Sequence, residues 1–577
     1  MKRQGSGPRP LPFQFQANLV SCLKVFGSRR TGGGEDLGLA KTPRKDSFLQ
    51  GAMILTIASL AVRLIGVAQR IPLYRLLGAE GSGIFAYPYP IYAVMLAVSS
   101  TGINIAISKL IAERVALGDA SGARRVFRLS LGLMVGLGLV LGVVLFLLSG
   151  TLSRGVNHDE RAALSYMALA PAVLFAGVVS AYRGHFQGLQ QMTPNANSQV
   201  IEQLVRVVTM LALAYWLLPR GLDWAAAGAS FGAVTGAAGS WVYLLWAHWR
   251  HRREDPEDFR ATGPAVSDLP RASALLGRII RLAIPVTLAG LGLPIIQLVD
   301  STVVPAQLQG IGLSVNRATS EFGRLANVAF PLVNLPTVLT VALFVALVPA
   351  VAESAVLGER ERIRNRSRAA LRLTFLFSLP AMVGLYILPG PISEFIYSDW
   401  GAGPVVAALT TGMLFLTVQQ TTSGILQGLG RVTLPVLNMG IGVAVKTILT
   451  LIWTAQPQFG INGAAYATAV GFGVAAVLNL VSVTWLVGNV IQVGDMLVRP
   501  GLASVGMAFA AGAAYNYVMA LHPSNGLATV VAICLGALVY GLLLALLGGL
   551  RRADLEMLPR VGPRLADLLQ SFYLVRR

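Results

Sequence analysis

Apolar stretches of about twenty residues recur along this chain from residue 51 to residue 549, as in LGLMVGLGLVLGVVLFLLSG at 131–150. A stretch of that length spans ~30 Å of hydrocarbon as a helix. In lipid, the backbone must satisfy its own hydrogen bonds, so such stretches are read as spanning helices. Fourteen are expected, near 51–71, 86–108, 129–149, 162–182, 198–218, 224–249, 274–301, 322–350, 373–389, 402–425, 433–455, 462–486, 501–520 and 526–549. Charged residues make up only 12% of the chain, against about 25% in soluble domains. The fold class is an all-α polytopic membrane protein, and the location is the cytoplasmic membrane.

The net charge of +20 raises the question of nucleic acid. Placing the basic residues answers it. With the N-terminus inside, the loops between spans on the cytoplasmic side hold nineteen Lys/Arg, and the opposite loops hold five: Arg75, Arg154, Arg161, Arg220 and Arg317. This is the asymmetry of the positive-inside rule. It puts both termini in the cytoplasm and assigns the basic surface to anionic membrane lipid, with no nucleic-acid partner. Residues 1–48 and 551–577 read as basic cytoplasmic tails, and 251–273 as a cytoplasmic linker.

The two halves echo each other at an offset near 240 residues. Glu113 matches Glu353, Gly118 matches Gly358, Arg128 matches Arg368, Gln187-Gly188 matches Gln427-Gly428, and Arg206 matches Lys446. Six spans separate a feature from its copy, so the repeat is parallel. It implies two six-helix lobes, 49–250 and 274–487, with two further helices in 488–550. Gly228, Gly232 and Gly236 share one helix face, and Gly132 with Gly136 reads as a similar close-packing signal. Pro285 and Pro294 mark a bend in the seventh span.

A few charges fall inside the spans, where each costs ~2.5–3.5 kcal/mol and therefore faces a bundle interior or a wet cavity. Arg63 and Arg70 lie on one face of the first span, with no acid beside them in that helix. Glu202 and Arg206 stand four residues apart, in the acid-first order that pairs well. Lys446 has Gly442 where Glu202 would be, which predicts an unneutralised cation in the second lobe. Arg324 opens the eighth span and Asp300 closes the seventh. Asp300 reads as an exposed acid at the outer interface, clustered with Arg70 and Arg324. A cavity lined by Arg63, Arg70, Arg206, Lys446 and Arg324 selects anions, with Glu202 and Asp300 as charge partners or gates. Arginine's planar fork matches phosphate oxygens.

No HExxH, GxxxxGK[ST] or GxSxG occurs, and Cys22 and Cys534 form no metal spacing. No catalytic residue, metal or cofactor is expected. The stretches RIPLYRLLGAEGSGIFAYPYPIY (70–92), GINIAISKLIAE (102–113), AYRGHFQGLQQMTPNANSQVIEQLVRVV (181–208) and PLVNLPTVLTVALFVALVPAVAE (331–353) resemble the polysaccharide-exporter branch of the MOP superfamily. Within it they are most similar to the stage V sporulation protein B family, over residues 49–550. The resemblance implies a MATE-like arrangement of fourteen helices. It also implies transport of undecaprenyl-pyrophosphate-linked saccharides for peptidoglycan, in some members during sporulation. Arg63, Gly66 and Arg70 are similar to a first-helix motif of the related lipid II flippases, whereas the second span here has no arginine. The expected function is a flippase, not an enzyme, with the anionic headgroup as partner. The alternatives are a cation-coupled drug exporter, or a scaffold recruiting wall synthases through the basic 250–273 and 359–372 loops.

Overall fold

The computed structural model describes residues 48–254 and 272–549. The expected tails and most of the 251–273 linker lie outside the described residues. All regular structure among the described residues is helical. The first half comprises α1 (Phe48–Ala68), α2 (Arg70–Ala86), α3 (Tyr89–Leu96), α4 (Gly102–Ala116), α5 (Ala120–Gly155), α6 (Ala163–Gly188), α7 (Met192–Leu217) and α8 (Leu222–Glu254). The second comprises α9 (Ala272–Gly290), α10 (Gly292–Gly310), α11 (Val315–Arg324), α12 (Phe330–Asn334), α13 (Thr337–Val356), α14 (Arg360–Ile387), α15 (Pro389–Tyr397), α16 (Gly403–Thr410), α17 (Met413–Gly428), α18 (Thr433–Trp453) and α19 (Ile461–Val487). Then come α20 (Arg499–Leu521) and α21 (Asn525–Leu546).

Ten of the described helical segments are long and apolar enough to cross a membrane, or eleven if α16 and α17, bent by 47°, count as one span. Two of the other expected spans are interrupted. The seventh breaks at Leu291, between Gly290 and Gly292, with Pro294 in the first turn after the break. The eighth is divided into α11, α12 and α13, with Pro336 at the last junction. The first span ends at a kink at Gly78, whose φ of 66° is left-handed. The rest of α2 then leads into the second span.

α5 shows why the chain belongs in lipid. Its buried face includes Gly138, Gly142, Ser149 and Ser153 beside Met134 and Leu145, and its exposed face includes Leu139, Val143, Phe146 and Leu147, the last 72% exposed. Small residues let backbones approach each other, while large apolar residues meet a solvent as apolar as themselves. In water this surface would be a very large exposed patch. The chain is a multi-pass membrane protein.

In the first half, α6 packs against α4, α5 and α8, α8 against α7, and α1 along α7. In the second half, α17 packs against α13, α14 and α19, and α18 against α19. The seventh span divides its contacts: α9 lies on α4, whereas α10 lies against α3, α11, α18 and α19. Matching residues take matching shapes. Gly118 and Gly358 both end helices at positive φ, 70° and 71°. A Cβ on Gly188 would sit 2.7 Å from Ile111 Cβ, and one on Gly428 would sit 2.8 Å from Val351 Cβ. Both contacts keep the offset of 240 residues.

Three local expectations are corrected. Gly132 and Gly136 face open space, with nothing within 4 Å of an added Cβ, so they are not packing positions. By contrast, a Cβ added at Gly228, Gly232 or Gly236 would lie 3.0, 2.9 or 2.7 Å from a backbone carbonyl of α7. The 359–372 segment is not a loop but the start of α14, whose Arg372 is buried and donates to the Gly549 carbonyl at 2.7 Å. The turn after the fourth span is only Leu189–Gln191, because α6 continues to Gly188.

Candidate functional site

A cavity of about 320 Å³ opens between the two halves. Its polar lining includes Gln69, Arg70, Asp300, Asn327 and Gln420, set among aromatic and aliphatic side chains such as Phe472. Arg70 is deep in the bundle, yet its side chain is open to the cavity. Its guanidinium donates once, to the Ala326 carbonyl at 3.3 Å, and forms no ion pair among the described residues. Four of its five N–H donors are left for a ligand. Arg63, seven residues earlier on α1, is exposed and likewise forms no ion pair among the described residues. It does not line the cavity. It shares a helix face with Ser59 and Gly66, which meet Gln199 and Gln203 of α7. The rise of 1.5 Å per residue separates Arg63 from Arg70 by about 10 Å along the span.

Glu202 and Arg206 form the expected pair, Arg206 Nη2 donating to Glu202 Oε1 at 2.6 Å. The structure adds a residue just beyond the expected fourth span, 162–182. Arg183, on α6, donates to Glu202 Oε2 at 2.8 Å, to Ser198 at 2.9 Å and to Ser240 at 3.2 Å. One carboxylate therefore serves two guanidiniums, and the triad keeps a net positive charge. A sequence signal for Arg183 existed only in its closeness to the end of an apolar run.

The expectation of an unneutralised Lys446 is overturned. Its Nζ donates to Asp300 Oδ2 at 2.6 Å, and the two side chains are 3% and 5% exposed. Asp300 is thus neither an exposed interface acid nor a neighbour of Arg324. The physical reason is visible at Gly442, where a Cβ would lie 2.5 Å from the Gly471 carbonyl. α18 and α19 approach so closely there that no acid fits, and the partner comes from α10 instead.

Arg324 is not among the residues that line the cavity. It belongs to a seal at the end of the bundle that carries the α5–α6 connection. Arg324 Nε donates to Asp399 Oδ2 at 2.9 Å, its Nη1 donates to Glu321 at 2.9 Å, and Tyr74 OH donates to the same Asp399 oxygen at 2.5 Å. Arg75 donates to the carbonyls of Phe395 and Ile396 at 2.7 and 2.9 Å. Thr319 donates to Asp159 at 2.8 Å and accepts from Tyr87 OH at 3.1 Å, while Arg161 binds both Asp159 and Glu80. Beneath these bonds, α2 and α11 cross backbone to backbone. A Cβ on Gly83 would lie 2.1 Å from the Thr319 carbonyl, and one on Gly323 would lie 2.1 Å from the Ala79 carbonyl.

Asp159 gives the seal a defined pH response. Burial pushes its carboxyl up, but hydrogen bonds from Arg161 and Thr319 outweigh this and hold it below its ordinary range. A lowered native pKa stabilises the fold above the free value of about 3.9, and that stability is lost as pH falls through the native value. The Tm difference between wild type and Asp159→Asn, followed by tryptophan fluorescence in detergent, is therefore expected to stay constant from about pH 8 to 5 and to close below about pH 4.

Residues 48–355 match the family described as polysaccharide biosynthesis protein. The chain belongs to the polysaccharide biosynthesis protein family. Among its relatives, stage V sporulation protein B of Bacillus subtilis (strain 168) is 26% identical over 518 residues, covering 90% of this chain and 99% of that one. The lipid II flippase MurJ of the same organism is 26% identical over 445 residues, covering 74% and 80%. The fold of this family member is similar to that of solved transporters. A lipid II flippase MurJ structure in the inward closed conformation has a TM-score of 0.63 at 16% identity, covering 86% of this chain and 98% of that one. An inward-facing MATE-family multidrug resistance transporter of the MOP superfamily has 0.62 at 18%, covering 76% and 98%.

Proposed function

We propose that this chain is a flippase that moves an undecaprenyl-pyrophosphate-linked cell-wall saccharide across the cytoplasmic membrane by alternating access. The observation that carries the reading is Arg70: a guanidinium without an acid partner among the described residues, open to a cavity that is sealed at one end. An amphiphile with an anionic headgroup and a long apolar tail fits such a site, since the headgroup takes the guanidinium fork while the tail stays in lipid. The basic-residue asymmetry puts the sealed end outside and both termini inside. On this reading the fourteen spans are completed by α8, by α9 with α10, and by α11 to α13. Two six-helix lobes then rock about the cavity, with α20 and α21 outside them. Arg63 receives the headgroup from the cytoplasmic leaflet and Arg70 holds it deeper. Arg206, with Glu202 and Arg183, supplies positive field from the first lobe. An interior-negative potential favours export of a pyrophosphate by about 2.3 kcal/mol per charge per 100 mV.

The test is translocation of a fluorescent polyprenyl-pyrophosphoryl sugar in proteoliposomes. Arg63→Ala is expected to slow it about tenfold by removing one charge-assisted contact of ~1.5 kcal/mol. Headgroup movement by the wild type no faster than in empty liposomes would overturn the reading. The drug-exporter alternative draws on the acid in the cavity wall, Asp300, but its charge is matched by Lys446. Asp300-dependent efflux of a cationic dye would favour that alternative.

A further inference from the structure

The Asp300–Lys446 pair differs from the other ion pairs of the bundle in where it stands. Asp300 lines the cavity, and its Oδ1 has no hydrogen-bond partner among the described residues. Lys446 lies behind it, in a recess whose walls include Ile296, Val443 and Phe472. Ile296 and Phe472 also line the cavity, so the recess adjoins it, with Asp300 in the cavity lining and Lys446 in that of the recess. A buried ion pair contributes little net stability, and apolar side chains of similar volume would hold α10 to α18 as well or better. In the wall of an anion-binding cavity, however, the pair is a charge that can be uncovered.

We propose that Asp300 is a proton-binding site coupled to headgroup binding. The inference rests on the reading of the cavity as an anionic-headgroup site. An anion arriving beside Asp300 meets a like charge, and a proton on the carboxyl removes that repulsion. The same proton releases Lys446 Nζ from its hydrogen-bonded partner, and the flexible lysine stem carries the ammonium toward the anion. The proton adds to a carboxylate oxygen, no other bond forms or breaks, and the cavity gains one positive charge for each anion bound. A metal ion fits this place poorly. Nζ already occupies the cation position at Oδ2, and the walls of the recess are mostly apolar, with Thr468 their one neutral polar side chain among the described residues.

The charged and titratable groups that share the cavity or the pair with Asp300 are Lys446 from α18, Arg70 from α2 and Tyr89 from α3. α11 and α19 present Phe322 and Phe472 to the cavity. Arg324 of α11 bonds to both Glu321 and Asp399. α9 carries Arg278 and Arg281 toward the far end of the same span.

The experiment uses the full chain in nanodiscs and a short-chain polyprenyl-pyrophosphoryl N-acetyl sugar. Its pyrophosphate is esterified at both ends and does not itself titrate near neutral pH. Calorimetry at pH 7 in buffers of different ionisation enthalpy counts the protons exchanged on binding. The wild type is expected to take up close to one proton per headgroup, and its Kd to tighten up to tenfold for each unit of falling pH. Asp300→Asn is expected to abolish both effects while binding at least as tightly, because Lys446 is already free. Asp300→Asn/Lys446→Met removes the pair without leaving a buried charge, so it controls for folding. It should bind several-fold more weakly than Asp300→Asn, again without proton uptake. Binding without proton uptake in the wild type, or uptake that persists in Asp300→Asn, overturns the coupling alone. No binding by the folded wild type overturns the headgroup reading and the coupling with it.

Discussion

Replacing Arg70 by alanine is expected to weaken headgroup binding roughly 30- to 150-fold, the equivalent of about 2–3 kcal/mol for losing charge-assisted bonds to a phosphate. The fold should survive the change. Among the described residues, Arg70 gives only one long hydrogen bond, at 3.3 Å to the Ala326 carbonyl, and pairs with no acid. The unfolding midpoint should therefore move little, while Kd for a polyprenyl-pyrophosphoryl sugar rises and translocation in proteoliposomes falls in parallel. Arg70→Lys separates charge from geometry. Lysine keeps the positive charge but loses the planar fork, so it should recover part of the affinity and not all of it. Arg206→Ala is a harder variant to read, because it strips Glu202 of one of two partners and mixes a folding cost with a binding one. If Arg70→Ala binds the headgroup with wild-type affinity, the anion site lies elsewhere.

What could be read from the sequence was what depends on neighbours along the chain. The apolar spans, the 240-residue repeat and the Glu202–Arg206 pair can be followed along the chain, and the structure shows ten or eleven spanning helices among the described residues, matching glycines and that bond. What could not be read were partners brought together by packing. Asp300 and Lys446 are 146 residues apart, and Tyr74 and Asp399 are 325 apart. No pattern along one helix announces either pair. Arg183 was misplaced for a related reason. A basic residue near the end of a span looks like a loop charge until α6 is seen to continue past it and turn its guanidinium toward Glu202. Gly442 carries a more general lesson. The missing acid in the second half suggested a free cation, whereas the glycine marks a helix crossing that excludes a side chain and passes the neutralising role to α10. The same ambiguity made Gly132 and Gly136 look like packing positions when they face open space.

The glycine crossing at the sealed end leads to the second large effect. Gly83 and Gly323, like Ala79 and Thr319, are related by the repeat offset, so α2 and α11 meet where the internal symmetry axis crosses the seal. Each glycine stands against the opposite carbonyl so closely that even a methyl group would lie 2.1 Å away. That contact is backbone to backbone, so no rotamer change relieves it, and overpacking of this kind costs ~1–3 kcal/mol. The strain belongs only to the sealed state and is relieved when the two halves part. Gly83→Ala and Gly323→Ala are therefore expected to shift the population toward an outward-open form, by roughly 5- to 150-fold in its equilibrium constant. Gly132→Ala, where an added methyl meets nothing, is the control. The readout is a cysteine at Gln297, which also lines the cavity, made as Gln297→Cys in a chain with Cys22 and Cys534 changed to serine. A membrane-impermeant thiol reagent added outside should label it slowly in the parent and much faster with either glycine variant. Translocation should fall at least tenfold in both, because alternating access requires each end to close in turn. Labelling that stays as slow as in the Gly132→Ala control would mean that the seal is held by its ring of hydrogen bonds around Asp399 and Asp159 rather than by the crossing itself.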